Sequence, residues 1–186
     1  MILATITSYG ASVPMGFAKS LMRMGAYDHI WEQGCYLDIN RNNVFERARI
    51  ENQDLLFIDS DIVFTPEDVK KIEEHLKTKD VVTGVCVMSF PGWPASIFND
   101  QLKPMTITSD EPFEVFACGS AFMGISKKVL NDLAEPFNPI DYSHGKKHGE
   151  DISFCLRARE AGYKIWCDPT VRVGHIKAEA KYYGLS

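Results

Sequence analysis

The feature that most constrains the fold is an apolar run that ends in two aspartates. Residues 55–58 (LLFI) are continuously apolar, which is typical of a strand covered on both faces of a parallel sheet. Asp59 and Asp61 follow at once, and residues two apart on extended chain point to the same side, so their carboxylates are expected to converge. Open α/β sheets bind ligands beyond the carboxyl ends of their strands, and paired carboxylates there suit Mg²⁺ or Mn²⁺.

The same two aspartates also have a purely structural explanation. One of them would cap the helix that follows, and the other would be solvated. However, Thr65 and Asp68, with Pro66 between them, already supply a complete helix start of the capping-box type. The metal-binding interpretation is therefore the favoured one.

Buried strands and helices alternate through the first half of the chain. Helices are predicted from Pro14, over 44–51 (VFERARIE) and from Pro66, and the polar run 40–43 is expected to end the second strand. Strands are predicted at 2–7 (ILATIT), 34–39 (GCYLDI), 54–58 and 80–87 (DVVTGVCV). This order favours a parallel, right-handed, Rossmann-like sheet.

The second half has shorter elements and more polar connections. Residues 96–108 predict a small hairpin or edge strands, and 113–125 predict a strand interrupted by the small residues Cys118, Gly119 and Ser120. Residues 138–149 predict a mobile polar loop. A helix is expected from Glu150 to Gly162, followed by strands at 163–167 and 171–175. We predict one domain over 1–186, comprising a nucleotide-binding half (1–88), an acceptor and catalytic half (89–176) and a tail (177–186).

Three further side chains are candidates for chemistry. Glu150 and Asp151 lie at a predicted helix amino terminus, where the helix dipole favours carboxylates. A carboxylate beside a polar loop also suits a general base for a hydroxyl acceptor, so both explanations stay open. His175 alternates with Val171 and Val173 and is therefore expected at the end of a core-facing strand. An imidazole together with an acidic pair is a sensible Mn²⁺ ligand set.

Composition restricts the class of protein. The chain has 186 residues and a net charge of −5, which argues against a broad nucleic-acid surface. Its five cysteines contain no CxxC pair and predict reduced thiols rather than a disulfide framework or a zinc site. Neither a secretory leader nor a membrane-length apolar run is recognisable, so a cytoplasmic protein is expected.

Taken in order, several segments resemble GT-A fold glycosyltransferases of the family-2-like type found in bacteria and in phage or virus genomes. The resemblance extends from Ile2 to about His175, and it implies an α/β fold with a mostly parallel central sheet flanked by helices and a small mixed or antiparallel acceptor-side part. It also implies transfer of a sugar from a nucleotide-diphospho-sugar, with UDP preferred on family grounds alone, to a carbohydrate or other hydroxyl acceptor. The matching segments are LLFIDSDIVFTPEDV, DVVTGVCV, CGSAFMGISKKVL, GEDISFCLRAREAGYKIWCDP and VRVGHI.

The resemblance also implies roles for the acidic residues and for the histidine. Asp61 and His175 would bind Mn²⁺ or Mg²⁺ at the nucleotide diphosphate. Asp59 would contact the ribose, or the metal through water. Asp151 would be the catalytic base if the enzyme inverts, and Glu150 is the neighbouring alternative.

The remaining implied contacts belong to the donor. Arg49 would help to hold the nucleotide, and Arg47 is an open alternative. Lys177 and Lys181 would fold over the diphosphate, unless they belong to a solvated tail. The pocket contacts are Thr7 and Tyr9 for the nucleobase, and Gly119 and Ser120 for the sugar.

Two rival functions remain. FIDSDIVFT also resembles the first motif of haloacid-dehalogenase-type phosphatases, in which Asp59 would be the nucleophile and Asp61 a general acid. That motif normally ends the first strand of its fold, whereas strands and helices precede it here. The second rival is a GT-A-like module that binds sugar nucleotide or glycan without turnover. The sugar, the acceptor, the stereochemistry and the oligomeric state are left open by the sequence.

Overall fold

Five helices and fourteen strands occupy residues 1–7, 12–87, 94–176 and 182–183, the part of the chain that this computed structural model describes. The helices are α1 (Met15–Met22), α2 (Leu37–Ile50), α3 (Pro66–Leu76), α4 (Lys127–Asp132) and α5 (Glu150–Glu160). The first strands are β1 (Ile2–Thr7), β2 (Asp28–Gln33), β3 (Leu55–Ile58), β4 (Ile62–Val63), β5 (Val81–Val85), β6 (Ile97–Phe98) and β7 (Phe113–Val115). They are followed by β8 (Ala117–Cys118), β9 (Phe122–Ile125), β10 (Asp141–Ser143), β11 (Lys146–Lys147), β12 (Ile165–Arg172), β13 (Gly174–Ile176) and β14 (Tyr182–Tyr183).

A seven-stranded sheet with the order β2-β1-β3-β9-β5-β12-β7 forms the centre of the molecule. Strands β2, β1, β3, β5 and β12 run in one direction, whereas β9 and β7 run against them. Smaller sheets join β4, β13 and β14, then β6 with β8, and β10 with β11. The predicted α/β class, with a mostly parallel central sheet and a small mixed part, is confirmed.

The helices cover both faces of this sheet. Alternate residues of β3 point to opposite faces, so Leu55 and Phe57 join one core while Leu56 and Ile58 join the other. Helices α2, α4 and α5 contribute to the first core, and α1 and α3 contribute to the second. Burial on both faces explains why the strand is apolar at every position.

Helix α3 begins at the predicted capping box. The Thr65 hydroxyl accepts a hydrogen bond from the Asp68 amide, and the Asp68 carboxylate accepts one from the Thr65 amide. The helix then packs closely on β9, because Gly124 leaves room for it. A Cβ built on Gly124 would lie 2.4 Å from Cγ2 of Ile72. The glycine therefore sets how near α3 lies to the sheet.

The predicted second strand is wrong. The strand lies at Asp28–Gln33, and residues 34–39 form a turn and the start of α2, which continues through 40–43. Strand β2 is an edge strand with only Ile30 buried, so it has no continuous apolar run. The apolar side chains that suggested a strand at 34–39 are instead exposed on the surface: Tyr36, Leu37 and Ile39.

The predicted polar loop over 138–149 contains a short hairpin, β10–β11. Its turn residues His144 and Gly145 both have positive φ, 39° and 78°, as a two-residue type I′ turn requires. All residues from 141 to 147 are exposed.

Among the described residues, no helix is long and apolar enough to cross a membrane.

Candidate active site

A cleft of about 190 Å³ opens at the carboxyl-terminal edge of the central sheet. This is where an open α/β sheet is expected to bind a ligand, because the loops that follow the parallel strands meet there. The reversed strand β9 begins at this edge, so the residues just before it form part of the cleft wall. The lining includes Arg41, Asp59, Cys86, Val87, Gly119, Ser120, Ala121, Glu150, Asp151 and His175.

Larger clefts lie elsewhere on the molecule. One of about 560 Å³ surrounds Asp54 and Asp80, at the amino-terminal ends of β3 and β5. Another of about 400 Å³ lies between α2 and the segment after α4. Neither brings together the acidic residues that follow β3 and open α5. The smaller cleft is therefore the candidate active site, because it contains these acidic residues.

Arg41 is the central cation of the cleft. Its side chain is 2% exposed, its Nη2 donates to Asp59 Oδ1 at 2.9 Å, and its Nε lies 3.5 Å from Glu150 Oε1. Burial opposes the charge, but the two carboxylates raise the pKa of Arg41 above its ordinary value. The guanidinium also lies 5.1 Å from the centre of the Phe57 ring, while its buried Nη1 has no hydrogen-bond partner among the residues that the structure describes. Arg41 thus joins the end of β3 to the start of α5.

The expected convergence of Asp59 and Asp61 is not found. The Ile62 amide donates to the Asp59 carbonyl at 3.0 Å, so this segment is a turn rather than extended chain. Asp59 consequently faces Arg41, whereas Asp61 faces His175, with 3.0 Å between Oδ2 and Nε2. The two aspartates serve different partners.

His175 is held in one orientation by hydrogen bonds at its ring nitrogens. Its Nδ1 donates to the Val87 carbonyl at 3.0 Å, which directs Nε2 towards Asp61. Burial would lower the pKa of His175, but the hydrogen bond to Asp61, with smaller contributions from Cys86 and Val87, raises it to about 10. Nε2 therefore holds a proton towards Asp61, and a metal ion would have to bind Nε2 in place of that proton.

The fit of a divalent metal rests on Asp61 and His175. Across the described residues, no group of three or more His, Cys, Asp or Glu side chains is arranged to hold an ion. Mg²⁺ in proteins is commonly held by one or two carboxylates together with substrate phosphates and water, whereas imidazole ligands suit softer divalent ions. The Asp61 carboxylate and the oriented His175 imidazole would hold a divalent ion only together with substrate oxygens and water.

Asp151 has the chemistry of a proton acceptor. It lies in the first turn of α5, where its Oδ1 accepts a hydrogen bond from the Ile152 amide at 2.7 Å. Burial and the neighbouring Glu150 carboxylate raise the pKa of Asp151 to about 6. A Cβ built on Gly119 would lie 3.7 Å from Asp151 Oδ2, so the glycine leaves the space beside this carboxylate open. Asp151 can therefore exchange a proton near neutral pH.

The structure separates the remaining predicted residues. Gly119 and Ser120 line the cleft, and their contact with the sugar stays a prediction. Thr7 lies at the end of β1 in a different cleft of about 290 Å³, which Trp31 and Gln33 also line. Tyr9, Lys177 and Lys181 lie outside the described residues.

Arg49 is not brought to the cleft. It is exposed on α2 and forms an ion pair with Glu46, and Arg47 is exposed as well. The arginine in the cleft is Arg41, which the sequence prediction did not select. A signal was present in the sequence, because Arg41 starts the apolar stripe of α2. The stripe comprises Arg41, Val44, Phe45 and Ala48, spaced as one helical face.

The fold is shared with solved structures, although no protein-family model and no curated protein matches the sequence. A197 from STIV matches 100% of this chain over 94% of its own, at 17% identity and a TM-score of 0.73. S. aureus TarS matches 98% of this chain at 16% identity and a TM-score of 0.53, and this chain spans 59% of it. The 4-diphosphocytidyl-2C-methyl-D-erythritol synthase from Anaerococcus prevotii matches 100% over 91%, at 11% identity and a TM-score of 0.52.

These similarities establish the fold class. The protein has a GT-A-like α/β fold, which it shares with these structures. A second TarS structure with a TM-score of 0.51 is a complex with UDP.

Proposed function

We propose that this protein is a metal-dependent glycosyltransferase that moves a sugar from a nucleotide-diphospho-sugar, with UDP as the nucleotide, to a hydroxyl acceptor. One observation carries the proposal. Asp59, Asp151 and His175 line a single cleft at the carboxyl-terminal edge of a GT-A-like sheet. The UDP complex of TarS, a protein of similar fold, supports the choice of UDP.

Asp61 and His175 would hold the divalent metal at the donor diphosphate. When bound, Mn²⁺ or Mg²⁺ would neutralise the negative charge that the leaving diphosphate gains as the sugar–phosphate bond breaks. His175 is suited to this role because Val87 fixes its orientation. Asp59 has a different role, since Arg41 holds its Oδ1 and leaves its other oxygen for the donor ribose.

Asp151 would accept the proton of the attacking hydroxyl. With a pKa of about 6 it is mostly ionised at pH 7 to 8, yet basic enough to take a proton in the transition state. Glu150 is less suited, because it is paired with the buried Arg41. A base on the side of the sugar opposite the diphosphate gives inversion.

The phosphatase alternative has less support. It requires Asp59 to be a free nucleophile, whereas Asp59 is 2.9 Å from the buried guanidinium of Arg41. Ion pairing lowers the reactivity of a carboxylate, because attack must disrupt the pair. The fold is also that of nucleotide-diphospho-sugar transferases.

The test is thermal unfolding with UDP, GDP, TDP and CMP, each with and without Mn²⁺. A ligand at about a hundred times its dissociation constant stabilises the folded state by about 2.7 kcal/mol. For a chain of this length that raises the midpoint by roughly 2–4 °C per kcal/mol. We expect a shift with UDP that requires Mn²⁺, is lost in Asp61→Ala and His175→Ala, and persists in the exposed control Asp110→Ala.

Turnover separates an enzyme from a binding module. UDP release is followed with UDP-sugars and water or simple glycans as acceptors, in the wild type and in Asp151→Asn. Nucleotide binding without UDP release would favour the non-catalytic alternative. Absence of stabilisation by all four nucleotides would contradict the donor site itself.

A further inference from the structure

The β10–β11 hairpin immediately precedes, in the chain, the helix that carries the proposed catalytic base. It leads through His148 into α5, whose first turn carries Asp151. The fully buried Ser153 anchors its base, because Ser153 Oγ accepts from the Ile140 amide at 3.0 Å and donates to the His148 carbonyl at 3.4 Å. The His148 amide also donates to the Ile140 carbonyl at 2.9 Å. The hairpin is therefore fixed to the same helical turn that positions the base.

The hairpin presents a stacked pair of rings to solvent. The Tyr142 and His148 rings lie 4.4 Å apart with an angle of 29° between their planes, and Tyr142 is 56% exposed. Stacking on His148 holds the Tyr142 ring in place without burying it. A flat exposed aromatic ring can cover the C–H face of a sugar ring at little entropic cost, because it has few rotatable bonds.

The hairpin is also locally basic on an acidic protein. Lys146 and Lys147 are exposed, and neither has a carboxylate within ion-pair distance in the described part of the chain. Asp141 is the cross-strand neighbour of Lys147, and His144 occupies the turn. The segment thus carries more positive than negative charge, whereas the whole chain has a net charge of −5. This local positive charge fits an anionic partner.

We propose that the β10–β11 hairpin is the acceptor-binding surface and that it takes a carbohydrate bearing phosphate or carboxylate. Tyr142 would stack on the sugar ring, and Lys146 and Lys147 would contact its acidic group. The inference rests on the proposed function, because it assigns the acceptor of that same site. It adds a substrate class that the cleft residues do not define.

Direct binding tests this surface without a donor. Backbone amide NMR shifts are followed on adding mannose 6-phosphate, glucuronic acid, or the neutral sugars mannose and glucose. We expect both acidic sugars to perturb hairpin amides, and neutral sugars to bind at least severalfold more weakly. The two acidic sugars distinguish a phosphate from a carboxylate preference. The effect should decrease as salt rises, since exposed charges are screened.

Matched variants assign the contacts. Lys146→Ala/Lys147→Ala should weaken binding of the acidic sugars by roughly tenfold, because each exposed ion pair contributes little by itself. Tyr142→Ala should weaken binding of acidic and neutral sugars alike, and Tyr142→Phe should retain it. The control Lys70→Ala/Lys127→Ala removes the same charge from exposed positions on α3 and α4, and it should bind like the wild type.

The two proposals fail in different ways. Equal binding of acidic and neutral sugars, or equal weakening by the control variant, would overturn the hairpin proposal while UDP stabilisation stands. Preference for phosphatidylglycerol vesicles over acidic sugars would overturn it too, in favour of a membrane surface. Hairpin binding of acidic sugars without any nucleotide stabilisation would instead overturn the transferase and leave a glycan-binding surface.

Discussion

Replacing Asp151 by asparagine should stabilise the folded protein while removing its base. In the fold, burial and Glu150 raise the pKa of Asp151 from 3.8 to about 6. Asparagine keeps an oxygen for the Ile152 amide but carries no charge to be desolvated. The ionised form of Asp151 is therefore less favourable in the folded protein than in the unfolded chain.

The pKa difference fixes the size and the pH dependence of the effect. Because the folded state binds the Asp151 proton more tightly, the contribution of Asp151 to wild-type stability falls as pH rises from about 4 to 6, and then levels off. A pKa difference of about two corresponds to about 3 kcal/mol at most. Asp151→Asn should thus be more stable than the wild type by up to about 3 kcal/mol at pH 7.5, and equally stable near pH 4.

Thermal unfolding at pH 4 and pH 7.5 measures the difference. At pH 7.5 we expect the variant midpoint to be higher by about 6–12 °C, using roughly 2–4 °C per kcal/mol. The exposed Asp110→Asn serves as a control and should leave the midpoint unchanged at both pH values. UDP release should fall by roughly 10²–10⁴-fold in Asp151→Asn. If the variant and the wild type differ in unfolding midpoint by the same amount at both pH values, the raised pKa of the buried Asp151 carboxylate is refuted.

Two further predictions concern packing and charge. Arg41→Met should lower the free energy of unfolding in urea by about 3 kcal/mol, because it leaves partly buried carboxylates without their cation. The control Arg49→Met should change it by less than about 0.5 kcal/mol. Equal losses in the two variants would contradict the central role of Arg41. Gly124→Ala should lower the thermal midpoint by the equivalent of about 1–3 kcal/mol, because its Cβ would meet Ile72 at 2.4 Å. Gly25→Ala, whose Cβ meets nothing within 4 Å, is its control, and an unchanged midpoint in Gly124→Ala would show that α3 shifts freely.

Elements with a strong local pattern were predictable from the sequence. The apolar run of β3 and the capping box of α3 both reflect interactions within a few residues, or burial on both faces. Strand β2 was not predictable in this way. It is an edge strand, so one side of it pairs with β1 while most of its side chains stay in contact with water. Its pattern is therefore weak, and the exposed apolar residues after it misled the prediction.

In the site, too, residues placed by local sequence patterns were predictable, whereas residues placed by tertiary packing were not. Asp151 and His175 both line the cleft, Asp151 from the first turn of α5 and His175 from the short strand β13, which is separate from the longer strand β12 before it. Their roles in chemistry stay predictions. The choice between Arg41 and Arg49 depends on which face of α2 meets the sheet. The helical spacing of Arg41 from the apolar residues Val44, Phe45 and Ala48 indicates that Arg41 lies on that face. The separation of Asp59 from Asp61 depends on a turn that alternation alone does not reveal.

The reversed strand β9 explains how the cleft can stay open between two loops that follow parallel strands. A parallel strand at that place would end at this edge and send a connection across it. Strand β9 instead begins there, and the residues before it are small, with the Ala121 carbonyl accepting from the Asp59 amide at 2.9 Å. The floor of the cleft is thus made of backbone and small side chains. A side chain added at Gly119 would enter this floor and meet Ser96 at 3.2 Å, at a position outside the paired strands of the central sheet.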